Sequence, residues 1–155
     1  MVKTTNPHPL AAQQLKLGIE VGVVEVAEVI RWADNLLETE PYNDDIANVS
    51  LAEHAPMKKL RLLLEKIADG TSEWDGLRLI LGRMHQSLVK RPKKIRGYVR
   101  FFTKIWIRNG CTAPSDLHFI RGLETAFLLS KKGIFGSQET VRAALLKDLA
   151  QFVQP

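Results

Sequence analysis

The chain has 155 residues, 45% hydrophobic and 25% charged, with a formal net charge of +5 and one cysteine. That composition excludes a disordered chain and an internal disulfide, and no apolar run approaches the ~20 residues of a membrane span. One domain over 1–155 is expected at this length, with a flexible polar lead over 1–9, in a reducing compartment such as the cytoplasm.

Helical punctuation recurs from end to end. Leu10 to Leu17 reads as a short helix halted near Gly18. Val23 to Glu38 follows with Val23, Val26, Ile30, Ala33 and Leu37 on one stripe, the i, i+3, i+4 spacing of a buried helical face. On that wheel Trp32 falls opposite Ile30, near Glu25, Glu28 and Asn35, where it either packs against a second helix or forms an exposed binding anchor. Pro41 ends the helix, since proline restrains the residue before it and cannot extend a helix. Asn43 to Leu51 suits one short turn. Pro56 then opens Met57 to Asp69, with Leu60, Leu63, Leu64 and Ile67 inward and Gly70 as the stop.

Ser72 and Asp75 resemble a capping box ahead of Leu77, Ile80, Leu81, Met84 and Leu88. Pro92 breaks that helix, and Lys93 to Asn109 forms the next, closed by Gly110. Pro114 to Lys132 reads as one helix with Leu117, Ile120, Leu123 and Phe127 inward. Ser137 caps the last, where Val141, Leu145, Leu149 and Phe152 recur. No alternating run and tight-turn pair marks a hairpin. The expected fold is therefore all-α: a single-domain helical bundle of about six to seven helices.

Charge is segregated along the chain. Between Gly76 and Pro114 stand ten basic residues and no acidic one, whereas residues 1–75 hold 7 basic against 13 acidic side chains. Arg96, Arg100, Lys104 and Arg108 recur every four residues and Lys93 joins their arc, opposite an apolar stripe of Ile95, Val99, Phe102 and Trp106. Like charges at i, i+4 repel by a few tenths of a kcal/mol per pair, roughly, so an anionic neighbour is expected. Either the acids of the first half (Glu25, Glu28, Asp34 and others) supply it, or the arc faces a partner with phosphate or acidic protein surface. Gly97 lies on the basic side, where a missing side chain permits close approach. The aromatics share the apolar arc instead of interleaving with the arginines, which disfavours a base-stacking platform.

The chemistry-bearing residues are sparse. His8, His54, His85, His118 and Cys111 show no metal-ligand spacing, and no phosphate loop or nucleophile elbow is present, so no cofactor, metal or catalytic residue is expected. Arg78 and His85, with six residues between them, resemble the Arg-x4-6-His motif of HEPN ribonucleases, which implies metal-independent RNA cleavage. Leu79 stands where that family carries a polar residue.

A second resemblance covers residues 17–51: Leu17-Gly18-Ile19, Val29-Ile30, Trp32-Ala33-Asp34, Pro41-Tyr42, Ile46 and Val49-Ser50-Leu51. This pattern resembles short helical bacterial proteins, some of them immunity partners of secreted toxins. The resemblance implies a non-enzymatic protein that binds another protein, a toxin, with Lys93, Arg96, Arg100, Lys104, Arg108 and Trp32 as candidate binding residues and no membrane partner. Inhibitors of basic nucleases are expected to be acidic for steering, whereas this chain has a pI near 9.5. The alternative is a nucleic-acid-binding module using the helix at 93–108, and a HEPN-like ribonuclease is the third reading.

Overall fold

The computed structural model describes residues 8–153. Its regular structure is helical throughout, eight α-helices and two 3-10 turns, with no strand among the described residues. No helix among them is long and apolar enough to cross a membrane. The chain gathers into two compact units that divide between Ile80 and Leu81, inside α5 (Glu73–Lys90). The division tracks the charge: the first unit has 8 basic against 13 acidic side chains (−5), the second 14 against 4 (+10).

The first unit contains α1 (His8–Val21), α2 (Val26–Thr39), α3 (Asp44–Ser50) and α4 (Met57–Ile67). α1 packs on α4, α2 on α3, and α3 on α4. Ala12, Leu15, Ile19, Val29, Ala33, Ile46, Val49, Leu60 and Leu64 form its core. Each fully buried leucine there contributes roughly 1.5–3 kcal/mol of transfer free energy.

Several sequence expectations are corrected here. α1 does not stop at Gly18. That glycine is buried in the helix, and a Cβ on it would lie 2.2 Å from Val24 Cγ2, so it serves close packing. The stop is Gly22, at φ +83°, where the Val23 and Val24 amides donate back to the Gly18 carbonyl. α2 then begins at Val26, leaving Val23 outside it. The buried face centres on Val29 and Ala33, and Trp32 turns toward it, half-buried against the core. The lead expected over 1–9 lies outside the described residues as far as position 7, while His8 and Pro9 already belong to α1. His8 Nε2 meets Glu40 Oε2 at 2.5 Å.

α3 is a full helix because Asn43 caps it: Asn43 Oδ1 accepts from the amides of Asp45 (2.9 Å) and Ile46 (3.2 Å). This addition makes eight α-helices where six to seven are expected. Ahead of α5, Ser72 Oγ accepts from the Trp74 amide at 3.1 Å, but Asp75 does not complete a capping box; its carboxylate accepts from Arg78 at 2.7 Å.

In the second unit α5 ends at Lys90, just before Pro92, and a 3-10 turn (Pro92–Lys94) leads into α6 (Ile95–Arg108). A second 3-10 turn (Ser115–Ile120), α7 (Leu123–Lys131) and α8 (Gln138–Ala150) follow. The single helix expected over 114–132 is thus two pieces. Gly122 at φ +78° separates them, a conformation L-residues rarely adopt. α6 packs on α7 and α7 on α8. Phe102 stacks edge-on against Phe119, ring centroids 5.7 Å apart, and Phe101 adjoins it. Ser137 Oγ accepts from the Thr140 amide and so caps α8, as its sequence position predicts.

Candidate functional site

α6 buries Ile95, Tyr98, Val99, Phe101, Phe102 and Ile105. Consecutive helical residues rotate by ~100°, so burying this arc forces Arg96, Arg100 and Lys104 to the opposite, exposed side. Lys93 is exposed too, one element earlier, in the 3-10 turn. None of the four acids of the second unit (Asp116, Glu124, Glu139, Asp148) forms an ion pair or hydrogen bond with Lys93, Arg96, Arg100 or Lys104. Glu139 is held instead by Arg142. The arc is therefore not neutralised within its own unit.

Gly97 sits inside this arc. A Cβ placed on it would meet nothing within 4 Å. An interior helical glycine costs about 1 kcal/mol relative to alanine, and no packing within the described chain requires this one.

Two hollows lie along the arc. One, about 400 Å³, has an apolar floor of Val99, Phe127 and Leu128 between Arg96, Arg100 and Lys104 on α6 and Lys131 on α7. Glu124 stands on its α7 rim. The other, about 350 Å³, lies between Pro92, Lys93, Ile95 and Arg96 and the Glu139–Arg142 pair of α8. Arg96, Phe127 and Lys131 line both, so the two adjoin.

The remaining candidates fall elsewhere. Arg108 is exposed at the end of α6 and lines neither hollow; as a cation in the last turn it complements the helix dipole. Trp32 belongs to the packing of the first unit. Arg78 is bound to Asp75, while His85 lies half-buried a further two turns along α5. Among the described residues no group of three His, Cys, Asp or Glu side chains gathers to hold a metal ion.

Sequence reasoning missed Val99, Phe127, Leu128 and Lys131 as site residues. Their grouping depends on α7 lying beside α6, which helical periodicity does not encode. The one signal in the sequence was that Leu128 stands off the apolar stripe of Leu123 and Phe127; the structure leaves it 47% exposed.

Tyr98 is the buried polar group under the arc. Its hydroxyl has no hydrogen-bond partner among the described residues. Burial raises its pKa above the usual phenol value, and Ser87 and Arg91 nearby offset only part of that rise.

No protein-family model, curated protein or solved structure matches this chain.

Proposed function

We propose that the chain is a non-enzymatic protein-binding module that docks an acidic protein surface on the α6 arc. The observation that carries this reading is the set of four exposed cations, Lys93, Arg96, Arg100 and Lys104, left without an acidic partner in their own unit. Holding like charges at i, i+4 costs a few tenths of a kcal/mol per pair, roughly. An acidic partner offsets that cost and is steered to the site over about a Debye length. Burial of Tyr98, Phe101 and Phe102 favours protein over single-stranded nucleic acid, because among the aromatics of α6 only the half-buried Trp106 is left for bases to stack on.

Within this class the particular role we assign is neutralisation of a bacterial toxin, which rests on the pattern at residues 17–51. The charge pattern requires a toxin that is acidic where it meets α6, or one that meets the acidic first unit instead.

The test is affinity purification from the source cells with wild type and an Arg96→Glu/Arg100→Glu/Lys104→Glu variant. Recovered partners are then purified and titrated directly by calorimetry across a salt series. The expected partner is an acidic protein whose binding weakens with salt and fails with the variant. Co-purifying material that nuclease removes would sink the reading in favour of nucleic acid. For the toxin role, growth rescue of cells expressing a toxin encoded beside this gene is the readout, and unchanged killing would overturn it.

A further inference from the structure

The two hollows supply a feature that a simple basic patch lacks: an apolar floor between charged rims. They share Arg96, Phe127 and Lys131, so the groove runs from Pro92 in the 3-10 turn along α6 to Lys104. At ~1.5 Å per helical residue, the α6 portion from Ile95 to Lys104 spans roughly 15 Å, the reach of four to five extended residues. Its larger hollow, about 400 Å³, lies within the roughly 300–1,000 Å³ of ligand clefts. Leu128 is 47% exposed on this floor, and Val99 and Phe127 support it from below.

Resting on the protein-binding reading above, we infer that the groove takes an acidic peptide segment anchored by one bulky apolar side chain. The apolar side chain seats on Val99, Phe127 and Leu128. Carboxylates of the segment meet Arg96, Arg100 and Lys104 on the α6 rim and Lys131 across it. Charge complementarity fixes the class of partner, and the floor fixes the anchor. Gly97 lines neither hollow; with open space where a Cβ would stand, it leaves the α6 surface beside them bare for the partner that carries the segment.

Glu124 gives the groove a direction. It occupies the α7 rim one turn before Leu128, the one acid among the residues lining the larger hollow. A carboxylate there repels acids of the segment, so the residue passing Glu124 is neutral or basic while acids crowd toward α6. An evenly charged phosphate backbone would meet Glu124 at every register, which disfavours RNA in this groove.

The experiment is selection of a random dodecamer peptide-display library against wild type and against Leu128→Ser, a change at an exposed position. Circular dichroism checks that both proteins fold. A labelled single-stranded RNA dodecamer is titrated in parallel at matched salt. Expected from wild type are sequences rich in Asp and Glu around one Phe, Leu or Trp, and loss of at least tenfold in affinity for the same peptides with Leu128→Ser. Acidic sequences without an apolar preference, or binding unchanged in Leu128→Ser, overturn the groove and leave the acidic-partner reading standing. Absence of acidic enrichment overturns both. RNA binding tighter than any selected peptide also overturns both, in favour of nucleic acid.

Discussion

Gly76 on α5 lies directly against Gln13 of α1: a Cβ built on Gly76 would fall 2.6 Å from Gln13 Cγ and 3.1 Å from its backbone carbonyl carbon. Gln13 is itself pinned, 4% exposed, with Nε2 donating to the Thr71 carbonyl at 2.9 Å. Gly97 has the opposite surroundings, with nothing within 4 Å. Gly76→Ala is therefore expected to destabilise the protein by about 1–3 kcal/mol through overpacking. Gly97→Ala is expected to stabilise it by up to about 1 kcal/mol while weakening partner binding. Urea denaturation of both variants, with binding measured on the second, checks the contrast. Equal stability changes would show that the contact at Gly76 is not limiting.

Arg100 stands between Arg96 and Lys104 at i, i+4 on both sides. Arg100→Gln relieves two repulsions and should raise stability by roughly 0.4–1 kcal/mol at low salt, fading as salt is added. The same substitution should lower affinity for an acidic partner by about two- to fivefold, as for one exposed charge pair. Melting curves and titrations at two ionic strengths give both readouts.

The Tyr98 hydroxyl is buried near Ser87 with no well-formed hydrogen bond among the described residues. Tyr98→Phe deletes that unsatisfied group while keeping the ring, so stability should stay level or rise by about 1 kcal/mol. A loss of more than about 1 kcal/mol would show that the hydroxyl is satisfied in solution, with Ser87 the neighbour to examine.

Asn43→Ala removes the acceptor for two amides at the start of α3. The expected cost is about 1 kcal/mol, within the range of 0.5–2 for lost caps. Amide exchange should accelerate first at Asp45 and Ile46. Asn43→Asp or Asn43→Ser should recover most of the loss.

Asp148 has its pKa raised by burial, with Lys147 opposing the rise. A carboxyl whose folded pKa lies above its unfolded value binds more protons when folded, so stability falls as pH rises from the unfolded value through the folded one. At neutral pH the penalty is fully present. Asp148→Asn should then melt at a higher temperature than wild type, and the difference should vanish below the ordinary aspartate range. A variant less stable at neutral pH would mean that the Asp148 charge is favourably paired.

The fold class and most helix positions were legible because local rules govern them. The α6 stripe of Ile95, Val99 and Phe102 follows from helical periodicity, and Ser137 follows from capping chemistry. Glycine was the main source of error, because its letter does not say which of its two properties is used. Gly18 provides close approach inside a helix, and Gly122 provides a positive φ that splits one. The basic rim of the site was legible as Arg96, Arg100 and Lys104. The floor was not, since Val99 and Leu128 are 29 positions apart and meet only through the packing of α7 on α6. Trp32 packs because the buried face of α2 centres on Val29 and Ala33 instead of on the Ile30 stripe that the apolar pattern suggests.

The division of charge between the units also governs how the molecule behaves in concentrated solution. The net charge of +5 is the sum of −5 and +10 carried by different parts of one chain, so molecules can attract one another through oppositely charged units while repelling as wholes. Preparations should be cloudier at low ionic strength than a pI near 9.5 suggests, and should clear as salt is added. Titration toward the isoelectric point is the wrong guide for handling such a chain; the charge of each unit, more than the net charge, sets its colloidal limits.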